Sequence, residues 1–136
     1  MAHLTPRMKN WLAGLGAHIA TASATGVPSV VVVEKAVIDG DQTVRFSLSD
    51  RQIALIQANL NENARVAFGP AAVGSIRAAY QFKGNGRIER NELVVVVDEI
   101  YSTKPGPEAG LRLDVLPYDE IVRFETSRWR DNGPPR

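Results

Sequence analysis

The sequence predicts a mainly β protein: one antiparallel barrel, closed or nearly closed, of about seven short strands with two short helices. A β-sandwich is the other arrangement compatible with the pattern. Three observations point there. Runs of β-branched residues are separated by glycine, proline and asparagine turns at short intervals. Two stretches carry helical spacing with a recognisable start. A chain of 136 residues supports one core and leaves little material for a second.

Thr5-Pro6 opens the first helix, a hydroxyl cap followed by proline where a missing N–H costs nothing. Leu4, Met8, Trp11, Leu12 and Leu15 then form one apolar stripe, and Gly14 and Gly16 end it. Residues 17–23 read as a first strand, followed by the turn Ala24-Thr25-Gly26-Val27-Pro28. Val30-Val31-Val32-Val33 is a second strand without a polar face, as in a strand covered on both sides. In an antiparallel barrel the core covers one side, so a partner or a ligand must cover the other. Asp39-Gly40-Asp41 is a hairpin turn into a third strand at 43–48.

Ser49 and Gln52 stand at capping-box spacing before Ile53, Ile56 and Leu60, which share one helical face. The polar run 59–63 closes that second helix. Four further strands are expected at 65–69, 78–89, 93–103 and 120–125. Lys83-Gly84-Asn85-Gly86 either bulges the fifth strand or begins a turn. The segment 104–110 is a proline- and glycine-rich loop, either a lid or a stiff crossover. No repeat or linker divides the chain, so residues 1–136 form one domain with a tail at 127–136.

Composition excludes several functions. The apolar and charged fractions, 44% and 23%, are those of a folded globular protein. A net charge of +1 with scattered basic residues removes the usual signature of nucleic-acid binding. Without cysteine there are no disulfides, thiolates or cysteine metal sites, which fits a cytoplasmic protein. His3 and His18 alone offer little to a metal centre or a Ser-His-Asp triad, and His18, among small strand residues, reads as structural. The residues after Arg7 and Lys9 loosely resemble a signal peptide, but Gly14, Gly16 and His18 break the apolar run. No stretch is long enough to span a membrane as a helix.

The junction of the third strand with the second helix concentrates chemistry. Phe46-Ser47-Leu48-Ser49-Asp50-Arg51-Gln52 brings together open backbone N–H groups, the positive end of a helix dipole, two hydroxyls and a guanidinium. That set suits a phosphate. The alternative is that Ser49 and Gln52 cap the helix themselves and Asp50 pairs with Arg51.

The order of helix, strand, Gly26-Val27-Pro28 turn, valine strand, Asp39-Gly40-Asp41 turn, strand, Ser49–Gln52 loop and helix is similar to the pyridoxamine 5′-phosphate oxidase-like family, especially its small FMN-binding proteins. The exit Asn59-Leu60-Asn61-Glu62-Asn63-Ala64-Arg65-Val66-Ala67 repeats the family's N-L-x-x-N-P-R-V-A pattern, with alanine for proline. Tyr80-Gln81-Phe82-Lys83-Gly84 resembles its strand ending in glycine. The resemblance implies an antiparallel, Greek-key-like split β-barrel that forms a homodimer with FMN in two interfacial clefts. It implies that Val32, Val33 and Glu34 lie along the isoalloxazine ring, and that Ser47, Leu48 and Ser49 contact the ring edge and ribityl chain. Arg51 and Gln52, beside Asp50, would hold the phosphate. Many relatives carry a Lys-Thr or Arg-Lys pair in that loop, and here Arg51-Gln52 leads into Ile53-Ala54.

The function implied is a flavin-dependent oxidoreductase of unspecified substrate, with reduced nicotinamide or another small donor. A flavin carrier without turnover, or a barrel that has lost its cofactor, are the alternatives. Relatives vary in cofactor among FMN, other flavins, deazaflavin and haem. Trp129, between Arg128 and Arg130, either caps the partner subunit's flavin or is a loosely packed aromatic of the tail. Of Glu34-Lys35 only Glu34 is a site candidate, since neighbouring strand residues point to opposite faces. Asp98-Glu99 and Glu89-Arg90 read as solvated charges.

Overall fold

The computed structural model describes residues 2–71, 80–104 and 107–131, the last six of these by backbone alone. Helix α1 (Pro6–Leu15) precedes strands β1 (Ala17–Ala22), β2 (Pro28–Val33), β3 (Val37–Asp39) and β4 (Thr43–Ser47). Helix α2 (Asp50–Glu62) leads into β5 (Arg65–Pro70), β6 (Tyr80–Glu89) and β7 (Glu92–Ser102), and helix α3 (Tyr118–Asp131) follows. All pairings are antiparallel, in one sheet of order β2-β1-β5-β6-β7-β4-β3.

That order requires a barrel. β2 and β3 are opposite edges of a seven-stranded sheet, yet only residues 34–36 join them. Laid flat, the edges would stand about 29 Å apart at the usual strand spacing. The connecting chain reaches about 14 Å from Val33 to Val37. The sheet therefore curls until its edges approach, and because β2 and β3 do not pair, the barrel stays split along that seam.

Its interior shows the same closure. Phe46 of β4 meets Phe68 of β5 edge-on at 5.1 Å between ring centroids, and Phe68 stacks on Phe82 of β6 at 5.2 Å. β4 and β5 are not neighbours in the sheet, so this contact crosses the core. Leu12, Ile19, Ile56, Leu93 and Ile100 complete the packing at full burial.

The helices are fixed as their sequences require. Thr5 caps α1 with Pro6 in the first turn. Gly16 ends it at φ 73°, a region L side chains avoid; a Cβ there would sit 2.0 Å from the Val33 carbonyl oxygen. The tight approach ties the end of α1 to the end of β2.

Several expectations are corrected. The strand expected at 120–125 is part of α3. Its Ile121-Val122 and Phe124 resemble strand alternation, but Asp119 and Glu120 favour a helix N-terminus, and Ile121, Phe124 and Glu125 share one helical face. There are thus three helices among the described residues. The seventh strand is β3, too short at three residues to stand out in the sequence. Asp98 and Glu99 are not merely solvated: the Arg65 guanidinium holds both, at 2.7 Å to each. Lys83-Gly84 is a bulge, as one reading had it.

The β2 pattern also resolves. Val31 and Val33 enter the core, while Val30 and Val32 face outward, 62% and 52% exposed. Among the described residues nothing covers that outward face. Residues 78–79 of the expected fifth strand, Pro105 and Gly106 of the loop, and tail residues 132–136 lie outside the described residues.

Candidate functional site

The seam between β2 and β3 opens beside the start of α2. Strand β4 ends at Ser47, Leu48 turns inward to the core, and Ser49 adopts the extended conformation of an N-cap. The Ser49 hydroxyl accepts the Gln52 N–H at 3.2 Å, and the Gln52 side-chain oxygen accepts the Ser49 N–H at 3.0 Å. The Ile53 N–H donates to the Ser49 carbonyl at 2.9 Å, starting the helical ladder. The capping alternative read from the sequence is therefore realised. It leaves the Asp50 and Arg51 amides, at the positive end of the helix, without a protein partner among the described residues.

One contact was not legible in the sequence. The Gln52 side-chain nitrogen donates to the Val32 carbonyl at 2.8 Å, tying α2 to the edge strand across the seam.

Between them lies an open groove of about 430 Å³ lined by Val32, Val33, Glu34, Lys35, Ser47, Ser49 and Gln52. Six of these were singled out from the sequence, from segments as far apart as β2 and α2. Leu48 belongs to the core beneath, at 6% exposure. Asp50 and Arg51 are exposed at the helix start and do not line the groove wall. The Asp50–Arg51 ion pair of the alternative reading does not form among the described residues. The Trp129 side chain lies outside the described residues.

Lys35 is the residue the sequence reading set aside. Strand alternation ceases at Val33, so Glu34 and Lys35 both face the groove. The short spacing from the valine run to Asp39-Gly40-Asp41 is the signal that could have shown this: the chain must leave the strand to cross the seam. Neither side chain has an ion-pair partner among the described residues, so the groove carries one carboxylate, one ammonium, two hydroxyls and an amide.

Other features lie elsewhere. His18 is exposed rather than packed, on the outward face beside a shallow pocket of about 230 Å³ with Ala20, Val30, Ala67, Gly69 and Tyr80. Two of the charged side chains whose protonation is displaced, both away from the groove, are Asp98, held below the usual carboxylate range by its hydrogen bonds from Arg65, and Glu125, pushed up by burial. Among the described residues, no cluster of histidine and acidic side chains could hold a metal ion, and no helix is long and apolar enough to cross a membrane.

A curled seven-stranded antiparallel sheet, open along one seam with a helix start beside it, defines a split β-barrel. Solved structures share it. HupZ from Group A Streptococcus superposes with a TM-score of 0.61 at 19% identity, over 78% of this chain and 98% of that one. A candidate pyridoxamine 5′-phosphate oxidase from Lactobacillus delbrueckii gives 0.61 at 15% identity, over 74% and 94%. An FMN-binding protein from Syntrophomonas wolfei gives 0.61 at 12% identity, over 74% and 86%. The split-barrel fold is shared with these three proteins. No protein-family model and no curated protein sequence matches the chain, and the likeness is one of structure.

Proposed function

We propose that this chain binds flavin mononucleotide in the groove at the barrel seam and works as a homodimer, as a flavin-dependent oxidoreductase. The observation that carries the reading is the groove itself, where Val32, Val33, Glu34, Ser47, Ser49 and Gln52 converge although sequence separates them. The fold shared with an FMN-binding protein supports it.

The donor set fits the cofactor. The extended backbone of Val32 and Val33, with the outward Val32 side chain, suits a planar ring. The Ser47 and Ser49 hydroxyls stand where a polyol chain would pass. The open Asp50 and Arg51 amides, with the Arg51 guanidinium within its own side-chain reach, suit a phosphate. The Asp50 carboxylate, exposed at the same helix start, lessens the positive field there and sets a limit on affinity. Bound there, the flavin would supply hydride and electron transfer at N5, which no side chain of this chain provides. The protein's part is to bind, to orient and to exclude water. Lys35 and Glu34 set the local charge, and a small donor such as reduced nicotinamide would approach from the open side.

The homodimer rests on the bare valine face. Val30 and Val32 beside Ala20 and Ala67 form an apolar strip of the kind that a partner covers. Steady-state oxidation of reduced nicotinamide by the flavin-loaded protein, set against the same concentration of free FMN, tests the reaction. A rate no faster than free flavin overturns turnover and leaves a flavin carrier.

A further inference from the structure

Gln52 stands in the loop expected to hold a phosphate, but both ends of its amide are already engaged. Its oxygen accepts the Ser49 N–H at 3.0 Å, and its nitrogen donates to the Val32 carbonyl at 2.8 Å. One N–H and one lone pair of the amide stay free, but the two contacts fix where the amide points, and it points at β2. Its effect falls instead on the edge of β2.

In an antiparallel pair, one residue's N–H and C=O point to the same side. Since the Val32 carbonyl turns toward α2, the Val32 N–H turns away from β1 as well, into the seam. Edge strands normally present alternating donors and acceptors. Here Gln52 occupies the acceptor and leaves the donor open on the groove wall. The wall thus becomes donor-biased, and α2 is held at a fixed distance from the strand.

We propose that Gln52 is a positioning and selectivity residue of the groove: by closing the Val32 carbonyl it fixes the groove's width and selects a planar ligand whose edge carries acceptors. Oxidised flavin, with its ring carbonyls and unprotonated ring nitrogens, is such a ligand. This rests on the flavin reading of the groove. It differs from a phosphate role in that the phosphate is not what Gln52 recognises.

Two substitutions separate the possibilities. Gln52→Glu can still accept the Ser49 N–H, as glutamate does in the common capping box, but cannot donate to Val32. Gln52→Met removes both contacts and adds no charge. FMN and riboflavin are titrated into each full-length protein by fluorescence quenching, alongside thermal unfolding and the absorption maximum of the bound ring.

The expected result is a loss of about tenfold for both ligands in both variants, consistent with one hydrogen-bonded contact. A shift of the bound flavin's absorption bands accompanies it, while Gln52→Glu keeps its melting temperature. Unchanged affinity for both ligands in Gln52→Met overturns the proposal. So does a loss confined to FMN in both variants, which makes Gln52 a phosphate ligand. If the unsubstituted protein binds neither FMN nor riboflavin, the flavin reading fails first and this inference falls with it.

Discussion

The Glu125 carboxylate on α3 accepts a hydrogen bond from the Thr5 hydroxyl at 2.7 Å, joining residues 120 positions apart. The same oxygen accepts the Tyr80 hydroxyl at the start of β6. Thr5 in turn accepts the Met8 N–H at 3.3 Å as the cap of α1. One carboxylate at 3% exposure therefore fastens the C-terminal helix to the N-terminal helix and the barrel wall.

Burial pushes the Glu125 carboxyl above its ordinary value, an effect the Tyr80 and Thr5 hydroxyls and the nearby Arg7 offset only in part. The folded state then holds the proton more tightly than the unfolded chain. The associated stability is fully present below the unfolded value of about 4.5 and is lost as pH rises through the folded one. Glu125→Gln keeps an acceptor for both hydroxyls and removes this slope. Glu125→Ala removes the acceptor shared by the Thr5 and Tyr80 hydroxyls from a buried site and costs about 2–4 kcal/mol. Urea midpoints measured from pH 4 upward check both expectations; parallel pH profiles for wild type and Glu125→Gln would contradict the first.

Gly16→Ala combines a left-handed backbone with a Cβ 2.0 Å from the Val33 carbonyl oxygen. The atoms it meets are backbone of Val33 and Glu34, not a flexible side-chain end that could yield. A loss of about 3 kcal/mol or more is expected in chemical denaturation, with weakened ligand binding because Val33 and Glu34 form the groove wall. A variant as stable as wild type would show that α1 and β2 are not locked together there.

Val30→Glu places a charge on the outward valine face without touching the groove lining. Fold stability should change by no more than about 0.5 kcal/mol, since the site is open in the single chain. Sedimentation velocity should show a dimer becoming a monomer. A dimer that persists unchanged would place the subunit interface elsewhere.

At the phosphate end, Arg51→Ala should weaken FMN at least tenfold, about 1.4 kcal/mol, and leave riboflavin unchanged. Asp50→Asn should tighten FMN a few-fold by removing a negative charge from the start of α2. Calorimetric titration of both ligands decides. Equal losses for FMN and riboflavin in Arg51→Ala would make that residue a support for the helix rather than a phosphate contact.

The parts of this structure visible in the sequence were those written in local chemistry. Thr5-Pro6, the Ser49–Gln52 cap and Asp39-Gly40-Asp41 mark their elements because caps and tight turns need particular residues at fixed spacing. The bare face of Val30 and Val32 was legible as a missing cover, since no polar residue relieves it. What failed depends on tertiary context. Residues 120–125 carry an apolar pattern that suits strand and helix alike, and only the burial of Ile121 in the core and the Glu125 contacts with Thr5 and Tyr80 decide for the helix. β3 exists because the seam must be crossed, which three residues do not announce. The Gln52–Val32 contact spans the seam and leaves no trace in spacing, and Lys35 was misjudged because strand alternation was carried two residues too far.

The central claim is that the seam groove holds flavin mononucleotide. The direct measurement is the visible absorption spectrum of the purified protein, taken before and after FMN is added and the mixture desalted. Flavin bands that survive desalting, at about one flavin per chain, are the predicted result. A colourless protein that retains no FMN would contradict the claim and remove the groove residues from any flavin role.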